Sequence, residues 1–191
     1  MYNNNMNPLS IGLIGLLALV IGWLVAVFNS LIKKKNRVEN AWSDIDVQLK
    51  RRYDLIPNLV ETVKGYKDYE ASVLEKVTQA RTQAFQTPTS GLQAKAQAEN
   101  MLTGALKSLF AVAENYPDLK ASTNFRDLQS QLSSMENDIQ SARRYYNAAV
   151  RELNNALQVF PTNMIAGLLG FKNREFFGAE ANEKEAVNVS F

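Results

Sequence analysis

A chain of 191 residues with neither cysteine nor histidine has room for one ordinary domain plus an anchor. Disulfides, thiolate metal sites and thiol catalysis are excluded, and the commonest general base and metal ligand are missing together. The net charge of +2 is unevenly spread: residues 1–32 carry no charge, residues 33–52 hold seven bases against three acids, and residues 53–191 hold 14 bases and 16 acids.

Met1 to Pro8 is short, Asn-rich and uncharged, and is expected outside the membrane. From Leu9 to Phe28 the chain is apolar apart from Ser10 and three glycines. Twenty residues at about 1.5 Å each cross a hydrocarbon core of roughly 30 Å, and apolarity on every face argues against a buried core helix. A cleaved signal peptide needs a basic segment ahead of its apolar run, and there is none. Residues 9–32 are therefore expected to be a retained transmembrane anchor.

Lys33, Lys34, Lys35 and Arg37 follow at once as a membrane collar. The positive-inside rule then places the N-terminus outside and the rest in the cytoplasm of a bacterial cell, bound to the inner (plasma) membrane. The bilayer is the first expected partner, and the collar reads first as a stop-transfer flank with no lipid specificity, with attraction to anionic headgroups as the alternative. A nucleic-acid binder would spread its basic surplus over a broad face with aromatic residues between, so nucleic acid is not expected.

Behind the collar, Val38, Trp42, Ile45, Leu49, Tyr53, Ile56, Val60 and Val63 recur at spacings of three and four. This is an amphipathic helix. The phase carries on through Val73, Leu74, Val77 and Ala84, so one helix is expected from Lys33 to Gln86, kinked at Pro57. Thr87-Pro88-Thr89-Ser90-Gly91 ends it. A second helix runs from Leu92 to Glu114, and Asn115-Tyr116-Pro117-Asp118 closes it. The third carries the longest stripe, from Phe125 through Leu132, Ile139, Tyr146 and Leu153 to Phe160, with the character of a coiled-coil or bundle seam. The fold class is all-α: an N-terminal transmembrane helix followed by a long antiparallel up-and-down bundle over residues 33–171. Residues 172–191 are polar and mixed, and are expected to form a loosely attached tail.

Nothing in this pattern assembles a catalytic or metal centre, and there is no glycine-rich phosphate loop. No enzyme activity, cofactor, metal or small-molecule substrate is expected. Asp44, Asp46 and Asp54 lie within helical reach of Lys50, Arg51 and Arg52, which explains them as ion pairs. Two polar clusters remain, around Asp46, Arg51, Arg52 and Asn58 and at Arg143-Arg144-Tyr145-Tyr146-Asn147. Each reads either as an internal charge network fixing helix register or as a docking surface.

The run Asn36-Arg37-Val38-Glu39-Asn40-Ala41-Trp42-Ser43-Asp44-Ile45-Asp46-Val47-Gln48-Leu49-Lys50-Arg51-Arg52, then Asp54-Leu55-Ile56-Pro57-Asn58-Leu59-Val60, resembles the signature of the LemA family. Further matches are Glu114-Asn115-Tyr116-Pro117-Asp118-Leu119-Lys120, Arg143-Arg144-Tyr145-Tyr146-Asn147 and Phe160-Pro161-Thr162-Asn163. The resemblance covers roughly Asn29 to Phe177. It implies a bacterial protein with one N-terminal membrane helix, a short outer segment, a cytoplasmic antiparallel helical bundle and no established catalytic activity. A magnetosome protein of magnetic bacteria is LemA-like, which points to membrane organisation. Other members are associated with membrane proteases and envelope stress. No functional residue is carried over.

The reading is a membrane-anchored, non-catalytic scaffold or adaptor with a membrane-protein partner. The alternative is a regulatory binding module for a membrane-bound protease. Helix lengths point to self-assembly: a first helix of roughly 80 Å outruns a second of about 35 Å, leaving the stripe around Trp42 to be covered by the C-terminal tail, the lipid surface or a second copy, with Ile165 to Phe177 folding back into the gap as the alternative. After an up-down-up path, Phe160, Met164, Ile165, Leu168, Leu169 and Phe171 form a second apolar patch far from the bilayer. The expected oligomer or partner surface is thus Trp42, Asp46, Arg51, Arg52, Asn58, Arg143, Arg144, Ile165, Leu168 and Phe171.

Overall fold

A computed structural model of the chain describes residues 8–65 and 70–178. Six helices account for most of them, in the order α1 (Pro8–Lys64), α2 (Ala71–Gln86), α3 (Leu92–Ala113), α4 (Pro117–Ala121), α5 (Thr123–Gln158) and α6 (Thr162–Ala166). Among the described residues there is no strand, as the absence of any sustained two-residue alternation requires. The described residues divide into two compact units, one of residues 8–39 and 149–174, the other of residues 40–65, 70–148 and 175–178.

The larger unit is built by four antiparallel passes. Phe85 of α2 meets Tyr53 of α1 edge to face, with ring centroids 5.7 Å apart. Lys95 of α3 donates to the Ala84 carbonyl of α2 at 2.6 Å. Phe125 of α5 meets Phe110 of α3 at 6.1 Å, while further along α5 Tyr146 meets Trp42 of α1 at 5.5 Å. Ile45, Ile56, Leu59, Val77, Leu102 and Leu109 are sealed between the helices.

The expected single helix from Lys33 to Gln86 is therefore corrected. It ends at Lys64 and reverses before Ala71. Lys64 in the last turn followed by Gly65 is a helix stop. The stripe hid it because Val63 and Val73 are ten residues apart, an interval that spacings of three and four within one helix also give. Pro57, by contrast, lies inside α1 with the helix continuing past it. A proline cannot donate to the carbonyl four residues earlier, which here belongs to Tyr53. Arg81 of α2 takes that place, its Nε donating to the Tyr53 oxygen at 2.8 Å.

One extra reversal changes the direction of every later pass. α5 is the fourth pass rather than the third, so the apolar residues beyond it are not carried to a distant end. In the smaller unit Glu152 of α5 lies 2.8 Å from Arg37 and 3.9 Å from Lys34. Phe171 meets Phe28, the last residue of the apolar run, edge to face at 6.1 Å. Leu31, Val38, Val150, Leu153 and Ala166 are buried in this unit. Before them, α1 shows Leu13, Leu16, Leu17, Leu19 and Ile21 exposed on its flanks. This part of the helix is long and apolar enough to cross a membrane.

Candidate functional site

Two internal constellations stand out, both in the larger unit. The first is a buried charge network. Arg52 on α1 is 3% exposed; its Nη1 lies 3.2 Å from Glu136 of α5 and 3.8 Å from Glu99 of α3. Its Nη2 donates to the Thr103 hydroxyl at 2.8 Å, which donates to Glu136 at 3.2 Å. Lys95, one turn before Glu99, sits 3.5 Å from that carboxylate and donates to the Tyr53 hydroxyl at 2.9 Å. The Tyr53 hydroxyl in turn donates to Glu99 Oε1. Two cations and two carboxylates thus cancel inside the bundle, with each charge held by a different helix or turn.

Burial pushes the Tyr53 phenol well above its ordinary range, and the hydrogen bond to the charged Glu99 and the field of that carboxylate push it the same way. The phenol is a fixed neutral donor here, not an acid or base near neutrality. A proton-transfer role would need the opposite tuning. Among the described residues no group of acids, cysteines or histidines is placed to hold a metal.

The second constellation is a clamp on the C-terminal segment. Glu175 to Gly178 runs along α5 without helical structure. Asn147 grips Phe177 as a peptide group would, its Nδ2 donating to the Phe177 carbonyl at 3.2 Å and its Oδ1 accepting the Phe177 N–H at 2.9 Å. Arg143 Nε donates to the same carbonyl at 3.0 Å, and its Nη2 donates to the Gly178 carbonyl. The Tyr146 hydroxyl donates to the Glu175 carbonyl at 3.0 Å. Phe177, 2% exposed, enters the bundle edge-on to Trp42 at 5.2 Å, and the Arg143 guanidinium lies over its ring. Gly178 has φ of +66° beside the Arg143 guanidinium, a left-handed conformation that favours glycine.

The expected loose tail is accordingly corrected for residues 172–178. In the smaller unit Asn154 holds Arg174 by the same paired hydrogen bonds, each 2.9 Å, and the Arg174 side chain reaches Glu39 at 3.2 Å. The rest of the predicted tail, residues 179–191, lies outside the described residues. The segment attaches because backbone groups of Arg174, Glu175, Phe177 and Gly178 meet side chains of α5, Asn147 and Asn154 both donating and accepting while Arg143 and Tyr146 donate, a device that hydropathy does not register.

The predicted partner surface is divided by the fold. Arg52 is internal, and Trp42 and Arg143 are half-buried against the C-terminal segment. Asp46, Arg51, Asn58 and Arg144 are exposed. Ile165 and Phe171 are half-buried and Leu168 is exposed. In the collar Lys33 is exposed, Lys34 and Arg37 pair with Glu152, and Lys35 lies 3.7 Å from Glu39. The stripe that helix lengths left uncovered is closed within one chain: Ile45 and Leu49 are buried and Trp42 is flanked by Tyr146 and Phe177.

The site residues that sequence reasoning missed are Lys95, Glu99 and Glu136. Lys95 and Glu99 occupy stripe positions of α3, at helical spacing from Leu102, Leu106 and Leu109. A charged pair in phase with an apolar seam is the signal of a buried ion pair.

The LemA family model matches residues 41–191, a stretch that contains both constellations. Protein LemA of Metamycoplasma hominis is 32% identical over 165 residues, covering 85% of this chain and 74% of that protein. The chain belongs to the LemA family. It is also similar to the magnetosome protein MamQ 2 of Paramagnetospirillum magneticum, at 25% identity over 181 residues, 82% of this chain and 66% of the relative. The magnetosome protein MamQ of Magnetospirillum gryphiswaldense is 23% identical over 193 residues, 88% of this chain and 71% of the relative. As a LemA family member with an apolar helix exposed on its flanks, the protein is membrane-associated.

Proposed function

We propose that this LemA protein is a membrane-anchored, non-catalytic scaffold whose bundle presents a fixed polar surface to other membrane proteins. The observation that carries this reading is the way the buried charges are spent. Arg52, Lys95, Glu99 and Glu136 neutralise one another between helices, an arrangement that supports helix register and leaves no reacting group aimed at solvent. Asp46, Arg51, Asn58 and Arg144 remain exposed on helices locked from within, and they are the docking surface of this proposal. The MamQ relatives are named as magnetosome proteins, which agrees with a role in organising membrane-bound assemblies. Crosslinking in native membranes followed by mass spectrometry is expected to link these four positions to a membrane protein, or to a second copy of the chain. Crosslinks confined to intramolecular pairs would count against a scaffold. A membrane protease as the one recurrent partner would favour a regulatory module.

Orientation belongs to the same proposal. The bases Lys33, Lys34, Lys35 and Arg37 follow the apolar run and none precedes it, which favours a cytoplasmic bundle. Protease added to spheroplasts is expected to spare all residues beyond Lys35, and cleavage within α2 or α3 would reverse the assignment. Replacing the four bases by glutamine is expected to mix the two orientations.

A further inference from the structure

We propose that the segment from Val159 to Leu169 is a second membrane contact, which lies in the bilayer interface beside the end of the anchor helix. Its surface is apolar where a soluble protein would be polar. Leu168 is 87% exposed, Phe160 73% and Met164 67%, with Val159 and Leu169 also open. Singly such residues are ordinary; five within one short segment form a patch that needs an occupant. From Leu153 to Phe171 no side chain is charged, and Lys172 and Arg174 follow directly.

Depth is what selects lipid as the occupant. Phe171, two residues beyond the segment, packs against Phe28 with ring centroids 6.1 Å apart. Phe28 closes the apolar run, so it sits where hydrocarbon gives way to headgroups, and a ring in contact with it lies at the same level. The backbone is compact enough for that environment. Leu169 N–H donates to Ile165, Gly170 to Gly167 and Phe171 to Ala166, at 2.9, 3.1 and 3.1 Å. Gly170, with φ of +76°, provides the left-handed residue that this closing turn requires. An interfacial element needs such internal satisfaction, because an unpaired backbone group in hydrocarbon is costly. A cleft of about 510 Å³ is lined by the apolar Phe28, Ile32, Leu153 and Leu169 and by the cationic Lys35, Lys172 and Arg174. A phospholipid offers the same two chemistries, an acyl chain and a phosphate.

The inference rests on α1 crossing the bilayer, but not on the scaffold role or the orientation. Its test uses the full chain in phospholipid vesicles, with tryptophan as a depth probe. One variant carries Trp23→Phe, Trp42→Phe and Leu168→Trp; a second places the indole by Met164→Trp in the same background. A third, Trp42→Phe alone, keeps Trp23 within the anchor. Brominated lipids are expected to quench the indole at 168 and at 164 most strongly from shallow acyl positions, roughly 5–10 Å into the boundary. Trp23 is expected to be quenched best by deeper bromines. Aqueous iodide is expected to quench an indole introduced by Tyr145→Trp but not those at 164 and 168. Iodide quenching at 164 and 168, with Trp23 still quenched by lipid, would overturn the interfacial contact while leaving the anchor intact. Shielding from both iodide and bromine would mean that protein covers the patch, which also overturns it. A Trp23 insensitive to lipid would remove the anchor and this inference together.

Discussion

Glu99→Gln is expected to destabilise the bundle by about 3–5 kcal/mol, the usual cost of removing one partner from a buried ion pair. The substitution keeps the shape of the side chain and removes only its charge. Lys95 then loses the carboxylate at 3.5 Å, and Arg52 keeps Glu136 but loses the second acid that balanced Lys95. Urea denaturation of the full chain in detergent, read by Trp42 emission in a Trp23→Phe background, measures the change. A loss below about 1 kcal/mol would show that water reaches the network, for at an exposed pair that is all such a bond contributes. Replacing Lys95 and Glu99 together by Met and Leu is expected to restore much of the loss, because an apolar pair of similar volume often matches a buried ionic one. Tyr53 adds a pH signature to the same network. Its folded pKa is raised above the unfolded value of about 10, so its contribution is complete below that pH and is lost as pH rises beyond it. Tyr53→Phe is expected to remove this part of the alkaline loss.

The seam of α5 was legible because burial leaves a period: Phe125, Leu132, Ile139, Tyr146 and Leu153 are seven residues apart, and all are buried. The anchor was legible for the opposite reason, since lipid removes periodicity and leaves only apolarity. What the pattern concealed was direction. The interval from Val63 to Val73 fits spacings of three and four whether the chain runs on or turns back, and a single hairpin there reverses all that follows. Thus the patch around Leu168 was expected far from the bilayer and instead shares a unit with Phe28. Arg52 and Arg143 could be singled out as unusual, yet choosing between an inward network and an outward surface needed the partners. Glu99 and Glu136 reach Arg52 from other helices, and Phe177 reaches Arg143 from 34 residues away. Such long-range pairings leave no local trace in one sequence.

Phe177→Ala is expected to cost about 3–5 kcal/mol, as truncation of a fully buried phenylalanine does, and to release the C-terminal segment before the bundle itself unfolds. The order follows from what each part is held by. α1 to α3 and α5 are tied by helix packing along their length. Glu175 to Gly178 depends on one ring against Trp42 and on hydrogen bonds from Arg143, Tyr146 and Asn147. Without the ring those bonds stand open to water, where each contributes little net stability. Trp42 emission is therefore expected to move to the red and to become sensitive to iodide at urea concentrations where helicity is unchanged. Asn147→Ala leaves the Phe177 N–H without its partner and the carbonyl with Arg143 alone, and is expected to act in the same direction by about 1–3 kcal/mol. The two substitutions act on one residue's attachment, so their combined effect is expected to fall short of their sum. A double variant with strictly additive losses, or one whose Trp42 emission changes only when the helices melt, would show that the segment is not held as a unit by this clamp.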